Sequence, residues 1–199
     1  MEKTATQLIQ FVNYESAATV EFIFDADTNE FYFMEVNTRL QVEHPITEQV
    51  YNFDLVKAQI DIARGKSIYS NDQVRRGSAI EVRLNAEDPE QNFMPMPGRV
   101  IRYGLPAGPG IRIDSGIEVN NLIPKEFDSM IAKVIASGND RYEAIARLKR
   151  ALKEMRISIE EGTTNRAFLL ELLDTKKMKQ GNICTNFVEK WLGKKSNII

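Results

Sequence analysis

Residues 35 to 43 read Glu-Val-Asn-Thr-Arg-Leu-Gln-Val-Glu, polar at every odd position and apolar or small at every even one. A period of two belongs to extended chain, where successive side chains point to opposite faces. The pattern predicts one extended segment with Glu35, Asn37, Arg39, Gln41 and Glu43 along one side. His44 precedes Pro45, which biases it to extended geometry as well. Two carboxylates, two amides and a guanidinium in one row suit a metal ion and an anion held side by side.

The sequence before this row supplies its partner strand. Residues 18–24 and 31–37 are rich in β-branched and aromatic residues, and Asp25-Ala26-Asp27-Thr28-Asn29-Glu30 between them is turn chemistry, so a hairpin is expected. If residue 24 pairs with 32, the loop is 26–30 and Glu21 lies opposite Glu35, with Asn37 two residues along on the same face. Two adjacent carboxylates repel, and a divalent cation removes that penalty. An all-oxygen Glu21, Glu35 and Asn37 set suits Mg²⁺ or Mn²⁺. Magnesium takes few carboxylates and fills its shell with water and phosphate oxygens, which points toward a nucleotide. A solvent-facing hairpin with scattered charges satisfies the same pattern, and a one-residue slip would part the carboxylates.

Further along the row, Arg39 presents a planar donor fork that matches a carboxylate-like anion. Gln41 adds a donor, and Val42 offers its backbone N–H if the segment is not paired in a sheet. Glu43 is placed to take a proton as general base. A small planar anion that carries a proton, such as bicarbonate, meets these requirements. An edge strand with surface ion pairs worth about 0–1 kcal/mol each would look the same. His44 is the single histidine of the chain and has no nucleophile pattern around it, which favours an orienting role.

The remainder places these groups in a larger frame. At 199 residues and 43% hydrophobic content, the chain has enough material for one large domain or two small ones. One cysteine and one histidine exclude a disulfide framework and any Cys- or His-rich metal site within the chain, and favour a reducing compartment. A net charge of −2 gives no sign of a nucleic-acid partner, and no apolar run approaches the ~20 residues of a membrane helix. The opening Met1-Glu2-Lys3 does not resemble a signal peptide. Helices are expected over 2–13 and, capped by Asp54 and closed by Gly65, over 54–64. Residues 66–77 read as a linker. Strands are expected over 78–86, with Glu81, Arg83 and Asn85 on the polar face, and over 100–103, 111–113 and 129–136. Five of the seven prolines fall between Pro89 and Pro109, which favours short strands and tight turns there. Asp140 with Glu143 resembles a capping box. Thr164 is the expected cap of a second helix, and a third is expected over 186–192. The lysines at 176–179 and at 194–195 read as solvated helix ends.

Residues 31–48, Phe-Tyr-Phe-Met-Glu-Val-Asn-Thr-Arg-Leu-Gln-Val-Glu-His-Pro-Ile-Thr-Glu, closely resemble the signature of the biotin carboxylases, the component that charges biotin in acetyl-CoA, propionyl-CoA, methylcrotonyl-CoA, pyruvate and urea carboxylases. The run from Glu81 to Pro89, Pro95-Met-Pro-Gly98 and Phe127-Asp-Ser-Met-Ile-Ala-Lys133 resemble further family segments in the family's order. The resemblance implies an α+β chain. Residues 1–66 would be the C-terminal piece of an ATP-grasp fold, and 67–77 a linker. Residues 78–193 would be a biotin carboxylase C-terminal domain, a small antiparallel sheet followed by helices, with 194–199 a tail.

The resemblance also implies roles. Glu21 and Glu35 would meet ATP and, with Asn37, hold Mg²⁺ or Mn²⁺. Arg39, Gln41 and Val42 would bind bicarbonate, and Glu43 would be its base. Arg83 would bind biotin and stabilise its enolate. Implied partners are an upstream half carrying the glycine-rich ATP lid, a biotin carboxyl carrier protein, a carboxyltransferase and a second copy in a homodimer. The implied setting is the cytoplasm or mitochondrial matrix, and fatty acid biosynthesis if the acceptor is acetyl-CoA. The family's catalytic unit is more than twice this length, so the chain alone is expected to bind ATP weakly and to be inactive. Two other readings stay open: a different ATP-grasp ligase of the carbamoyl-phosphate synthase type, and a non-catalytic dimerisation or interaction module.

Overall fold

The computed structural model describes residues 1–68 and 74–196. The middle of the expected linker (69–73), the end of the expected tail (197–199) and the side chains of Lys194, Lys195 and Ser196 lie outside the described residues. The chain divides into two compact units, Met1–Arg76 and Gly77–Ile199.

The first unit runs α1 (Glu2–Phe11), β1 (Thr19–Asp25), β2 (Glu30–Asn37), α2 (His44–Tyr51) and α3 (Leu55–Ala63). β1 and β2 form the expected antiparallel hairpin. α3 starts where expected: the Asp54 side chain accepts the Lys57 N–H at 2.7 Å, satisfying one of the helix's orphan donors. α2 is a correction. In place of the extended geometry expected through His44-Pro45, a helix begins at His44 with Pro45 in its first turn. That position has no need of the N–H that proline lacks, and the ring's fixed φ suits a helix start. Asn52 ends α2 in the left-handed conformation. The buried Glu48 carboxylate then accepts the Leu55 N–H at 2.8 Å, tying α2 to the start of α3.

The second unit begins with β3 (Ser78–Asn85), β4 (Glu87–Asp88), a 3₁₀ turn at Pro89–Gln91 and β5 (Met94–Pro95). It continues with β6 (Gly98–Gly104), β7 (Ile111–Ser115), β8 (Leu122–Ile123) and β9 (Met130–Gly138). The proline-rich stretch thus forms the expected short strands. α4 (Arg141–Glu154), β10 (Arg156–Ile159), α5 (Arg166–Asp174), α6 (Lys176–Gln180) and α7 (Phe187–Ser196) complete it. β9 is the centre of an antiparallel sheet ordered β3-β9-β7, and β6 the centre of a second ordered β10-β6-β8. Gly77, at φ +62°, opens β3 where a Cβ would lie 2.2 Å from the Gly138 carbonyl oxygen, so only glycine fits.

The core follows from two periodicities. On β3 and β9, Ile80, Leu84, Ala132, Val134 and Ala136 share one face; on α4, Ala144, Leu148, Ala151 and Leu152 form the matching stripe. α4 opens with Asp140 accepting the Glu143 N–H at 2.8 Å, while the Glu143 carboxylate accepts the Asn139 N–H at 2.6 Å. On the other sheet face, Arg83, Lys133 and Asp114 are laterally paired across β3, β9 and β7. Burial raises the Asp114 pKa, but the Arg112 bidentate contact (2.7 and 2.9 Å) and Lys133 at 3.3 Å outweigh it and hold the carboxyl below its ordinary value.

One expectation at the C-terminal end is corrected. The cap residue of α5 is Asn165, not Thr164, and no side chain caps the helix. The Asn165 amide is engaged with β3 instead. The lysines at 176–179 form a short helix of their own, α6, with Lys179 3.1 Å from Asp174.

Candidate functional site

Glu21 and Glu35 are direct cross-strand partners, as expected, but the pairing nearer the loop is not the expected one. Phe24 pairs with Phe31 rather than with Tyr32, Asp25 pairs with Glu30, and the loop is 26–29. The difference is absorbed by a β-bulge between the Glu21–Glu35 and Phe22–Phe33 pairs, which leaves Met34 as an extra residue on β2. The physical reason lies in the aromatic residues. Without the bulge, Phe31 and Phe33 would share the face of Glu35. With it, they join Phe22, whose ring meets theirs edge-on at centroid distances of 5.4 and 6.3 Å.

On the opposite face the three predicted oxygen ligands meet. The Asn37 amide donates to Glu21 Oε1 at 2.9 Å and to Glu35 Oε1 at 2.8 Å, and Gln41 Nε2 donates to the same Glu21 oxygen at 2.9 Å. The amides' positive ends sit where a cation would relieve the carboxylate repulsion. Two carboxylates and the Asn37 carbonyl oxygen are a hard, all-oxygen donor set that fits Mg²⁺ or Mn²⁺. Among the described residues, no group of three or more His, Cys, Asp or Glu side chains could hold a metal. Glu21, Glu35 and Asn37 are the residues that would hold such an ion, with water or substrate oxygens left to complete its shell.

The row itself does not stay extended. β2 ends at Asn37, residues 38–43 form a loop and turn, and Glu43 is the cap residue of α2 with its carboxylate not used for capping. The single strand expected through Glu43 is thus replaced by strand, loop and helix start. The loop curls the polar groups round a cleft of about 620 Å³ instead of laying them in a line. Glu21, Arg39, Gln41, Glu43, His44 and Thr47 line it. The first turn of α2 contributes its partial positive charge there, which favours an anion. Val42 lies in the turn outside any strand. His44 Nδ1 is 2.8 Å from the Gln41 carbonyl oxygen, an orienting contact. Glu35 and Asn37 adjoin the cleft through Glu21.

Arg83 belongs to the second unit, exposed on the polar face of β3. Its backbone is held by Asn165, a residue 82 positions away that the sequence patterns do not single out. The only signal is the Thr-Thr-Asn run at 163–165, which reads equally well as helix-capping chemistry.

Two family profiles match. "Carbamoyl-phosphate synthase L chain, ATP binding domain" covers residues 1–71, and "Biotin carboxylase C-terminal domain" covers residues 81–190. The chain belongs to the biotin carboxylase family. A biotin carboxylase of Nostoc sp. is 47% identical over 191 residues, covering 95% of this chain and 42% of that protein. A pyruvate carboxylase component of Methanothermobacter thermautotrophicus is 42% identical over 193 residues, covering 96% of this chain and 38% of that protein. The biotin carboxylase domain dimer of Hydrogenobacter thermophilus 2-oxoglutarate carboxylase, solved with MgADP, ADP and bicarbonate, superposes with a TM-score of 0.89 at 37% identity, covering 94% of this chain and 41% of that one. The fold is that of a biotin carboxylase C-terminal part, an α+β arrangement of small antiparallel sheets and helices that includes the end of the ATP-grasp region. The chain spans about two fifths of the length of these relatives.

Proposed function

We propose that this biotin carboxylase chain supplies the metal and bicarbonate groups for ATP-dependent carboxylation of biotin on a carrier protein. The observation that carries the reading is the cleft, which gathers Glu21, Arg39, Gln41 and Glu43 at the positive end of α2. Arg39, Gln41 and the Val42 backbone bind bicarbonate; Glu43 takes its proton, making it a better nucleophile toward the γ-phosphate. Glu21 and Glu35, with Asn37, hold Mg²⁺ or Mn²⁺ beside ATP. The ion, when bound, neutralises phosphate charge. Attack on the γ-phosphorus breaks its bond to ADP and gives carboxyphosphate, which splits into CO₂ and phosphate; the phosphate removes the ureido N–H proton of biotin, and the freed nitrogen attacks the CO₂. Arg83 places a fixed positive charge at the enolate oxygen that develops there.

Residues 1–66 are, in this reading, the end of the ATP-grasp domain, and 78–193 the biotin carboxylase C-terminal domain. An upstream half carrying the ATP lid completes the enzyme. The hairpin supports this, since Ile23, Tyr32 and Phe33 are 56–59% exposed, a cost that further chain packed on it would remove. The remaining partners are a biotin carboxyl carrier protein, a second copy of this chain and a carboxyltransferase, in a cytoplasmic setting. The test is bicarbonate-dependent ATP hydrolysis by the chain alone and after addition of the upstream half of a relative. Activity only in the second case is expected; none in either rules the reading out.

A further inference from the structure

We infer that Asn165 is a positioning residue for Arg83, an inference that rests on the role proposed for Arg83 above. β3 is an edge strand, so the outward-facing backbone groups of Arg83 and Asn85 have no strand beside them. Asn165 takes that place. Its Nδ2 donates to the Arg83 carbonyl at 3.1 Å, its Oδ1 accepts the Asn85 N–H at 3.0 Å, and its own N–H donates to the Asn85 carbonyl at 3.1 Å. One residue thus closes three hydrogen bonds along two residues' length of strand, as a neighbouring strand would.

Two observations separate this from ordinary edge protection. First, the inner edge of β3 is weakest at this point. The ladder to β9 runs regularly to Leu84–Ala132 and then slips, with Asn85 facing Met130 and Ile131 unpaired in the register. Arg83 is the last residue before Leu84, so support from the far edge decides where its backbone points. Second, Asn165 sits at the cap position of α5, where an asparagine side chain would ordinarily stabilise its own helix by about 1 kcal/mol. It makes no such bond, although the residue is buried at 6% exposure and α5 has no other side-chain cap. The amide is turned onto the strand that carries Arg83.

The test uses the complete enzyme, this chain joined to the upstream half its relatives carry. The readout is the rate of biotin carboxylation divided by the rate of bicarbonate-dependent ATP hydrolysis without biotin. A loss of folded protein lowers both rates and leaves the ratio alone. Asn165→Ala is expected to lower the ratio about 10-fold with Arg83 present and less than about 2-fold in an Arg83→Ala background, the signature of two residues acting through one group. Asn165→Ser supplies a good helix cap that is too short to span the Arg83 carbonyl and the Asn85 N–H, so it guards against misfolding and is expected to fall as far as Asn165→Ala. Recovery of the ratio in Asn165→Ser, or equal losses in both backgrounds, would assign Asn165 to helix stability and overturn the inference. An unchanged ratio in Arg83→Ala alone is a different failure: it removes the role of Arg83, and the inference with it.

Discussion

The two units solve opposite problems. The second buries a continuous core in which Leu84, Val100, Val134, Leu148 and Leu152 are wholly shielded from water. The first buries little among its described residues: Val50, Ala58, Pro45 and the polar Glu48. Several of its aromatic side chains, Phe11, Tyr32 and Phe33 among them, are more than half exposed. What the first unit has instead is a concentration of polar groups converging on one cleft. Sites that hold charge work against burial, since every buried carboxylate needs partners, whereas a scaffold is stabilised by apolar area. The contrast teaches that the groups proposed for metal and bicarbonate are hosted by the unit with the smaller buried core, and that most of the buried apolar side chains lie in the other.

That contrast can be broken. The largest effect is expected from Leu148→Ala, which should cost about 3–5 kcal/mol because the surrounding core cannot collapse around the void. In the first unit, Ile60→Ala removes a side chain that is 49% exposed and should cost under about 1 kcal/mol. Urea unfolding followed by Trp191 fluorescence reports the first, and hydrogen exchange over 55–63 the second; equal losses would erase the distinction. Next, the chemistry should divide between the units. In the complete enzyme, Glu43→Gln should lower bicarbonate-dependent ATP hydrolysis by about 10²-fold or more. Arg83→Ala should lower biotin carboxylation by a similar factor while leaving that hydrolysis in place. If Arg83→Ala abolishes ATP hydrolysis too, the roles do not divide this way.

Smaller effects sharpen the contrast. Asp54→Ala removes the cap of α3 and should destabilise the first unit by about 1 kcal/mol, read as faster exchange of the 55–58 amides. The smallest concerns Asp114. Its carboxyl titrates below the ordinary value, so its contribution is complete above the unfolded pKa of about 4 and is lost as pH falls through the lower folded value. Asp114→Asn should therefore flatten the acid limb of the second unit's stability below about pH 4 and change neutral-pH stability by no more than about 1 kcal/mol. An acid limb identical to the wild type would show that the Arg112 and Lys133 contacts contribute nothing.

Much of this is legible in the chain. The hairpin, the Glu21–Glu35 pairing, the Asp54 and Asp140 helix starts and the α4 stripe are local patterns, each set within one short stretch of sequence. The row at 39–43 misleads because five residues of alternation are too few to separate a strand from a loop that enters a helix. Pro45 also serves two opposite purposes, discouraging helix before it and favouring helix at its own position. The bulge is hidden because it depends on four phenylalanines competing with one pair of glutamates for faces. Asn165 is hidden because its partners lie some 80 residues away, and nothing near it in sequence distinguishes a cap from a clamp.

The bulge at Met34 has a consequence for how this segment can vary. On its loop side the hairpin is in phase with its aromatic residues; on its far side it is in phase with its carboxylates. The two registers differ by one residue, and Met34 is the offset between them. Deleting Met34 would therefore join the Phe22–Phe33 and Glu21–Glu35 pairs into one regular ladder, with Glu35 and Asn37 still on the face opposite the phenylalanines. Deleting two residues from the 26–29 loop would leave the phase untouched. In this segment the place of a length change, more than its size, decides whether the cleft keeps its oxygens: residue 34 can be lost, whereas a single deletion among the paired residues shifts one pattern against the other.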